Sequence, residues 1–239
     1  MKAHHALVAD VIAFSWVDGP GNRFVLFLQG CNFNCLACHN PQTIPLHTPR
    51  ATLYSVDDVL AKIRASMPYI SGVTISGGEA TLQHEFISEL FHAIKSNSDL
   101  KHLTTFIDSN GNTSEDVWKA LATVTDGVML DLKVLDDVKH LELTGNSNKS
   151  VLHSIRFLAS MGKLFEVRLL LVPSKNDSEE DLISTARFLL DIDPNIRVKI
   201  NSFMTHGVRA SARAWPAVTP QDLQRYRDLL LAEGVKNLV

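Results

Sequence analysis

From position 24 onward, short β-rich runs alternate with amphipathic helical stretches, and the pair recurs six times. Strands are expected over 24–29, 72–75, 103–107, 127–130, 167–172 and 198–201, the fifth being stopped by Pro173. Helices are expected over 55–65, 85–95, 114–122, 150–160, 179–190 and 220–232. Ser55 is placed to cap the first of these, with Asp57 and Asp58 in its first turn. The second carries Phe86, Ile87, Leu90, Phe91 and Ile94 at helical spacing. Strands separated by helices at this interval make βαβ units and a parallel sheet. The expected class is therefore α/β. Six units would form an open, partial (β/α)6 barrel with parallel strands, and no linker, low-complexity segment or short repeat divides residues 1–239, so one domain is expected.

The polar and glycine-rich motifs fall at the ends of these strands. Gly30 and the cysteines follow the first, Ser76-Gly-Gly-Glu79 the second, Asp108-Ser-Asn-Gly111 the third and Asp131-Leu-Lys133 the fourth. In parallel α/β folds ligands sit at the carboxyl ends of the strands, so a site is expected there.

Composition narrows the partners. A net charge of -3, with no run of like charges, argues against a nucleic-acid surface. The first five residues carry one lysine and two histidines, and no apolar stretch of signal-peptide type follows. Apolar runs such as 24–28 and 169–172 are of strand length, too short to span a bilayer. A cytoplasmic protein that binds no membrane is expected.

All 3 cysteines of the 239 residues lie within one short segment, Cys31-Asn-Phe-Asn-Cys35-Leu-Ala-Cys38. An odd, clustered set is a poor disulfide framework and reads as metal ligands. An ordinary [4Fe-4S] cluster takes four thiolates, so a C-x3-C-x2-C trio would leave one iron open to a substrate. Two other readings stay open on spacing alone. A Cys3His zinc site could recruit His39, although a ligand directly after Cys38 wraps awkwardly onto one tetrahedral ion. The three thiols could also be buried side chains with no ligand.

The motifs together resemble a known family. A C-x3-C-x2-C loop directly after a strand, followed by Ser76-Gly-Gly-Glu79, is similar to the radical S-adenosylmethionine superfamily. Val17-Asp-Gly-Pro-Gly21, Gln29-Gly-Cys31, Cys38-His-Asn-Pro41, Ser76-Gly-Gly-Glu-Ala80, Asp108-Ser-Asn-Gly111 and Met129-Leu-Asp-Leu-Lys133 narrow the resemblance to the glycyl radical enzyme activases, the group that includes pyruvate formate-lyase activase. Within that group, residues 104–110, Leu143-Thr-Gly145, Gly162-Lys-Leu164 and His206-Gly-Val208 resemble the branch known as YjjW. Two features depart from the pattern. The branch usually carries a cysteine-rich ferredoxin-like insert after its C-H-N-P segment, whereas here 41–51 leads straight on without another cysteine. The residue before the third cysteine is usually aromatic and here is Ala37.

The resemblance implies a [4Fe-4S] cluster on Cys31, Cys35 and Cys38, whose open iron chelates S-adenosylmethionine through its amino and carboxylate groups. Electron transfer from the cluster then breaks the C5′–S bond, and the 5′-deoxyadenosyl radical abstracts a hydrogen atom. Ser76, Gly77, Gly78 and Glu79 are implied at the methionine amino group, and Ala37 at the adenine through its backbone. Lys133, Arg168 and Leu170 are implied as further cofactor contacts, with Arg168 suited to the methionine carboxylate. His206 aligns with a residue that stacks on adenine. Asp108, Ser109, Met129 and Asp131 are implied ligands of a monovalent cation, Na+ or K+, beside the cofactor; Asp108, Ser109 and Asp131 thereby count among the cofactor-binding residues as well. Asp18 and His39 align with catalytic positions near the reacting end. The implied partners are a glycyl radical enzyme as protein substrate and a flavodoxin or ferredoxin-type electron donor. A radical enzyme acting on a small molecule, like the deazaguanine-forming synthases, is the alternative function.

Overall fold

The computed structural model describes residues 4–239. The start of the N-terminal stretch used above to exclude a signal peptide, residues 1–3, lies outside the described residues. The chain divides into two compact units. The first comprises the residues up to Asn32, Gln42–Ser109 and Thr113–Met129, and the second Phe33–Pro41, Asn110–Asn112 and Leu130–Val239.

In the first unit the strands are β1 (His5–Ser15), β2 (Arg23–Leu28), β3 (Thr52–Ser55), β4 (Gly72–Gly77) and β5 (Thr104–Ser109), ordered β3-β1-β2-β4-β5. β2, β4 and β5 are parallel, with Arg23 opposite Gly72 and Gly72 opposite Thr104. The helices are α1 (Val56–Ser66), α2 (His84–Ser96) and α3 (Glu115–Ala122). Ser55 caps α1 as expected, in a reciprocal capping box with Asp58, and Ser114 caps α3. On α2 all five expected apolar positions are buried. Each such side chain contributes about 1.5–3 kcal/mol of burial, far more than intrinsic propensity supplies.

β1 and β3 were not expected. Both pair antiparallel, β1 with β2 and β3 with β1. The alternation that would reveal β1 is broken twice, by irregularities between Val8 and Asp10 and between Ile12 and Ser15.

β6 (Gly127–Leu132) begins in the first unit and ends in the second. The second unit holds β7 (Leu164–Leu171), β8 (Arg197–Ser202) and β9 (Asn237–Leu238), parallel in that order. Its helices are α4 (Asp137–Thr144), α5 (Lys149–Ser160), α6 (Glu179–Ile192) and α7 (Pro220–Ala232). α4 was not expected, because eight mixed residues carry little periodicity. It is defined by its ends: Asp136 accepts from Lys139 N at the start, and Gly145 closes it in a left-handed conformation, φ 81°.

Candidate active site

The cysteine segment leaves the first unit through a doubly tied neck. Gly30 N donates to Thr43 O (2.9 Å) and Cys31 N to Ile44 O (3.0 Å), so the outgoing and returning chains are bonded to each other. Gln29, buried at the end of β2, donates its amide to Gln42 O (3.1 Å) and Pro45 O (2.6 Å). Gln83 in turn donates to Gln29 O (3.0 Å) and Leu7 O (2.9 Å). Gln29 stood in the Gln29-Gly-Cys31 motif, but its bonds to the returning chain were not foreseen, and Gln83 was not singled out, since a buried amide leaves no periodic signal.

Ser76-Gly-Gly-Glu79 closes β4 beside this neck. Gly78 N donates to Leu28 O (2.9 Å) and Glu79 N to Gly30 O (2.8 Å). A Cβ on Gly77, which has φ 133°, would collide with the Leu28 backbone. One on Gly78 would strike the carbonyl oxygens of Gly30 and Thr43. These glycines therefore let two protein backbones approach each other. The Glu79 side chain is 1% exposed. Its Oε1 accepts from Thr81 N (2.9 Å), Thr81 Oγ1 (2.6 Å) and Ser109 Oγ (2.8 Å). That carboxylate is a clamp between the ends of β4 and β5. Ser76 Oγ donates to Asp108 Oδ2 (2.9 Å), a second side-chain bond between the ends of β4 and β5 beside Ser109–Glu79. Met129 is fully buried in the same unit.

Asp18 lies in the turn between β1 and β2. Ser15 Oγ donates to its carboxylate (2.5 Å), and Thr74 Oγ1 donates to its carbonyl (2.8 Å). Thr74 also accepts from Nε of Arg23 (3.0 Å), a fully buried residue that sequence reasoning passed over. Arg23 donates further to Val73 O (2.6 Å), Thr104 O (3.0 Å), Thr104 Oγ1 (2.5 Å) and Pro20 O (3.3 Å), and lies over the Phe106 ring. Burial pushes its pKa down to about 10, with Asp126 acting upward, so it is charged at neutral pH.

In the second unit the middle of the cysteine segment lies on the end of α4. Asn34 N donates to Thr144 O (2.9 Å) and Leu36 N to Leu143 O (2.9 Å). These are helix-terminal carbonyls that α4 cannot satisfy itself. Arg209 Nη2 donates to Asn34 Oδ1. The Phe33 ring meets His140 edge-on at 5.5 Å. His140 is fully buried, its Nδ1 is 2.7 Å from Asn146 O, and burial lowers its pKa from 6.5. Cys35 and Cys38 are half-buried, and none of the three cysteines is in a disulfide. Burial raises the Cys35 thiol from 9.0 to about 11; Lys133 acts downward, Cys38 and Asp131 upward.

Ala37 packs into a buried cluster with Leu170, Val172, Phe203 and Val208. His39 stacks on Phe203 (5.8 Å between centroids), and its Nε2 is 2.9 Å from Met204 O. Gly207, φ 77°, is kept free of a Cβ by the His39 carbonyl, at 2.8 Å. His206 is exposed in the same loop after β8. Ala37, His39, Leu170 and the 203–208 loop are thus brought together. At the end of β6, Lys133 Nζ donates to Asp131 Oδ2 (2.6 Å). Arg168 is buried, as its apolar neighbours implied, and its Nε donates to Glu166 Oε1 (2.9 Å). Glu166 was not singled out from sequence.

Among the described residues, no group of three or more His, Cys, Asp and Glu side chains is set to hold a single metal ion. A four-iron cluster makes a different demand, because each thiolate binds its own iron.

The comparisons with known proteins agree with this arrangement of motifs. The model of the Radical SAM superfamily matches residues 25–189, and the chain belongs to that superfamily. Its curated relatives place it within the superfamily. The chain is 37% identical over 206 residues to a pyruvate formate-lyase-activating enzyme of Streptococcus mutans, covering 84% of this chain and 78% of the relative. Against the enzyme of the same name from Staphylococcus epidermidis it is 36% identical over 218 residues, covering 87% and 84%. Among solved structures, Streptococcus suis SuiB bound to S-adenosylmethionine superposes with a TM-score of 0.69 at 20% identity, covering 88% of this chain and 48% of that one. A domain of a pyruvate-formate lyase-activating enzyme from Bacteroides vulgatus gives 0.57 at 19% identity, covering 71% and 98%. The fold is the α/β, mostly parallel core of this superfamily, the class expected from the six-fold rhythm.

Proposed function

We propose that this protein is a glycyl radical enzyme activase, cleaving S-adenosylmethionine reductively and generating a glycyl radical on a partner enzyme. The observation that carries the reading is the trio Cys31, Cys35 and Cys38, none in a disulfide, in a chain similar over most of its length to activating enzymes. Three thiols and no fourth cysteine fit a [4Fe-4S] cluster with one iron open to a ligand. When bound, that cluster supplies the electron that breaks the cofactor's C5′–S bond, and the resulting radical takes hydrogen from a glycine Cα.

The chain's own residues bind, orient and exclude water. The neck at Gly30 and Cys31, and the bonds from Asn34 and Leu36 to α4, hold the cysteine backbone. Backbone groups of Ser76, Gly77 and Gly78 receive the methionine amino group, since the Glu79 carboxylate is occupied inward. Arg168 offers a guanidinium to the methionine carboxylate. Ala37 meets the adenine through its backbone, its side chain being buried beside Leu170, with His206 stacking from the loop after β8. Asp108, Ser109, Met129 and Asp131 supply hard oxygen donors for Na+ or K+. Asp18 and His39 are the candidates for catalytic roles. A flavodoxin or ferredoxin-type donor, a cytoplasmic setting, the YjjW branch and action as one domain over 1–239 belong to the same proposal. The curated relatives favour it over small-molecule radical chemistry.

Anaerobic reconstitution is the test. It should give about four irons per chain and 5′-deoxyadenosine on reduction with S-adenosylmethionine. Deuterium at the Cα of the partner's glycine should pass into the 5′-deoxyadenosine, with a protein-centred radical by electron paramagnetic resonance. Cleavage with all deuterium retained on the partner would overturn the reading.

A further inference from the structure

Arg23 is fully buried in the first unit, and neither the motifs nor the comparisons give it a part. It opens β2 and lies opposite Gly72 on β4, which in turn lies opposite Thr104 on β5. A Cβ on Gly72 would collide with Arg23 Nη1 and with the Thr104 carbonyl. The missing side chain is therefore a slot through which Arg23 crosses β4 and reaches β5. A guanidinium carries five N–H groups and can only donate. Here its bonds end on Thr74 Oγ1, Pro20 O, Thr104 Oγ1, Val73 O and Thr104 O.

All of these acceptors are neutral. A buried charge with neutral partners carries a desolvation cost that an apolar side chain would avoid, so tying strands together is a weak reason for an arginine here. Two of the bonds lead instead to the turn that carries Asp18. Pro20 O accepts directly from Nη1 (3.3 Å). Thr74 is the other branch: its hydroxyl accepts from Nε (3.0 Å) and donates to Asp18 O (2.8 Å). That direction is fixed, because the hydroxyl has a single proton, the guanidinium cannot accept and a carbonyl cannot donate. From the other side Ser15 Oγ donates to Asp18 Oδ2 (2.5 Å). Between the two held carbonyls stands Gly19, whose φ of 131° suits glycine and few other residues. The turn is thus gripped at both carbonyls and at the carboxylate.

We propose that Arg23, acting directly and through Thr74, is a positioning residue that holds the Asp18 turn in its working conformation. This rests on Asp18 as a candidate for a catalytic role and adds the device that fixes it. Arg23, being fully buried, meets no substrate itself. It orders the backbone behind Asp18, so that the turn is set in folding and not at the moment of reaction. Sequence alone could not reveal this, because Arg23, Thr74 and Thr104 lie on three different strands.

The experiment sets Thr74→Val against Thr104→Val. Each removes one hydroxyl from the same guanidinium with little change of shape, but only Thr74 is bonded to Asp18. In the metal-free protein, backbone order parameters of Asp18 and Gly19 from nuclear spin relaxation should fall from about 0.85 to below about 0.6 in Thr74→Val. In Thr104→Val they should stay at the wild-type value. In the cluster-loaded protein, Thr74→Val should slow deuterium transfer from the partner's labelled glycine about tenfold, with Kd for S-adenosylmethionine unchanged. Thr74→Ser should restore both readings, and adding Thr74→Val to Asp18→Ala should slow transfer no further. Should Thr74→Val fail to fold, Arg23→Lys, which keeps the charge with fewer donors, should show the same loss of order. Equal effects of the two valine variants, or none from either, overturn the positioning role and leave Asp18 a candidate. Wild-type transfer in Asp18→Ala removes the catalytic reading of Asp18, and the part of Arg23 in the reaction with it.

Discussion

The Ser76–Glu79 turn and the cysteine segment carry the two most recognisable motifs, and they are held in opposite ways. The turn belongs to the first unit's frame: its glycines are in backbone contact with Leu28 and Gly30, and its glutamate clamps Thr81 and Ser109. From Phe33 to Pro41 the cysteine segment lies in the second unit, on a few backbone bonds to α4, the Phe33–His140 contact and the His39–Phe203 stack. In the turn, motif residues build the fold. In the cysteine segment, backbone bonds and ring contacts hold the chain, and none of the three cysteines is in a disulfide.

Cys35→Ala should separate the two most sharply. Iron uptake and S-adenosylmethionine cleavage should be lost completely, measured by iron content and product analysis, while the melting temperature of the metal-free protein stays within a few degrees of wild type. A large drop in that temperature would mean that the thiol supports the fold, and the contrast would be broken.

Gly78→Ala should do the reverse. Its Cβ would meet the carbonyls of Gly30 and Thr43, which are backbone atoms and cannot swing aside. A loss of about 3 kcal/mol in denaturant unfolding is expected, before any question of catalysis. Gly162 is the internal control. Unlike Gly78 it has a positive φ, 65°, and a Cβ there meets nothing within 4 Å. Gly162→Ala should cost only the conformational strain, about 1 kcal/mol.

The smallest effect is pH-dependent and tests the support of the cysteine segment. Burial lowers the pKa of His140 from 6.5, so the folded state favours the neutral ring. Below 6.5 the unfolded chain takes up a proton that the folded chain resists, and stability falls as pH falls. Unfolding free energy of the metal-free protein should therefore decline from pH 7 toward pH 5.5, and His140→Gln should flatten that slope. An unchanged slope would show that His140 titrates alike in both states.

How legible each region was follows from the same contrast. The helix at 56–66 with its Ser55 cap, the apolar face of α2 and the parallel strands after position 23 rest on periodicity and capping, which are local properties of the chain. β1 was hidden because two irregularities break its alternation, and α4 because its stability lies in its caps and in what packs on it. The cysteine trio announced itself because thiol spacing is written directly in the sequence. Arg23, Gln83, His140 and Glu166 did not, since each gains its meaning from partners that only folding brings near.

The sequence by itself determined the α/β class, the order of its main strands and helices, and the clustering of the three thiols, because hydrophobic period and residue spacing belong to the chain. Only the tertiary structure decided that Glu79 turns inward to Thr81 and Ser109, that Gly78 serves a backbone contact, and that Glu166 accepts from both Arg168 and Arg197. A buried polar group must find its partner wherever the fold has placed one, and that partner need have no fixed distance along the chain.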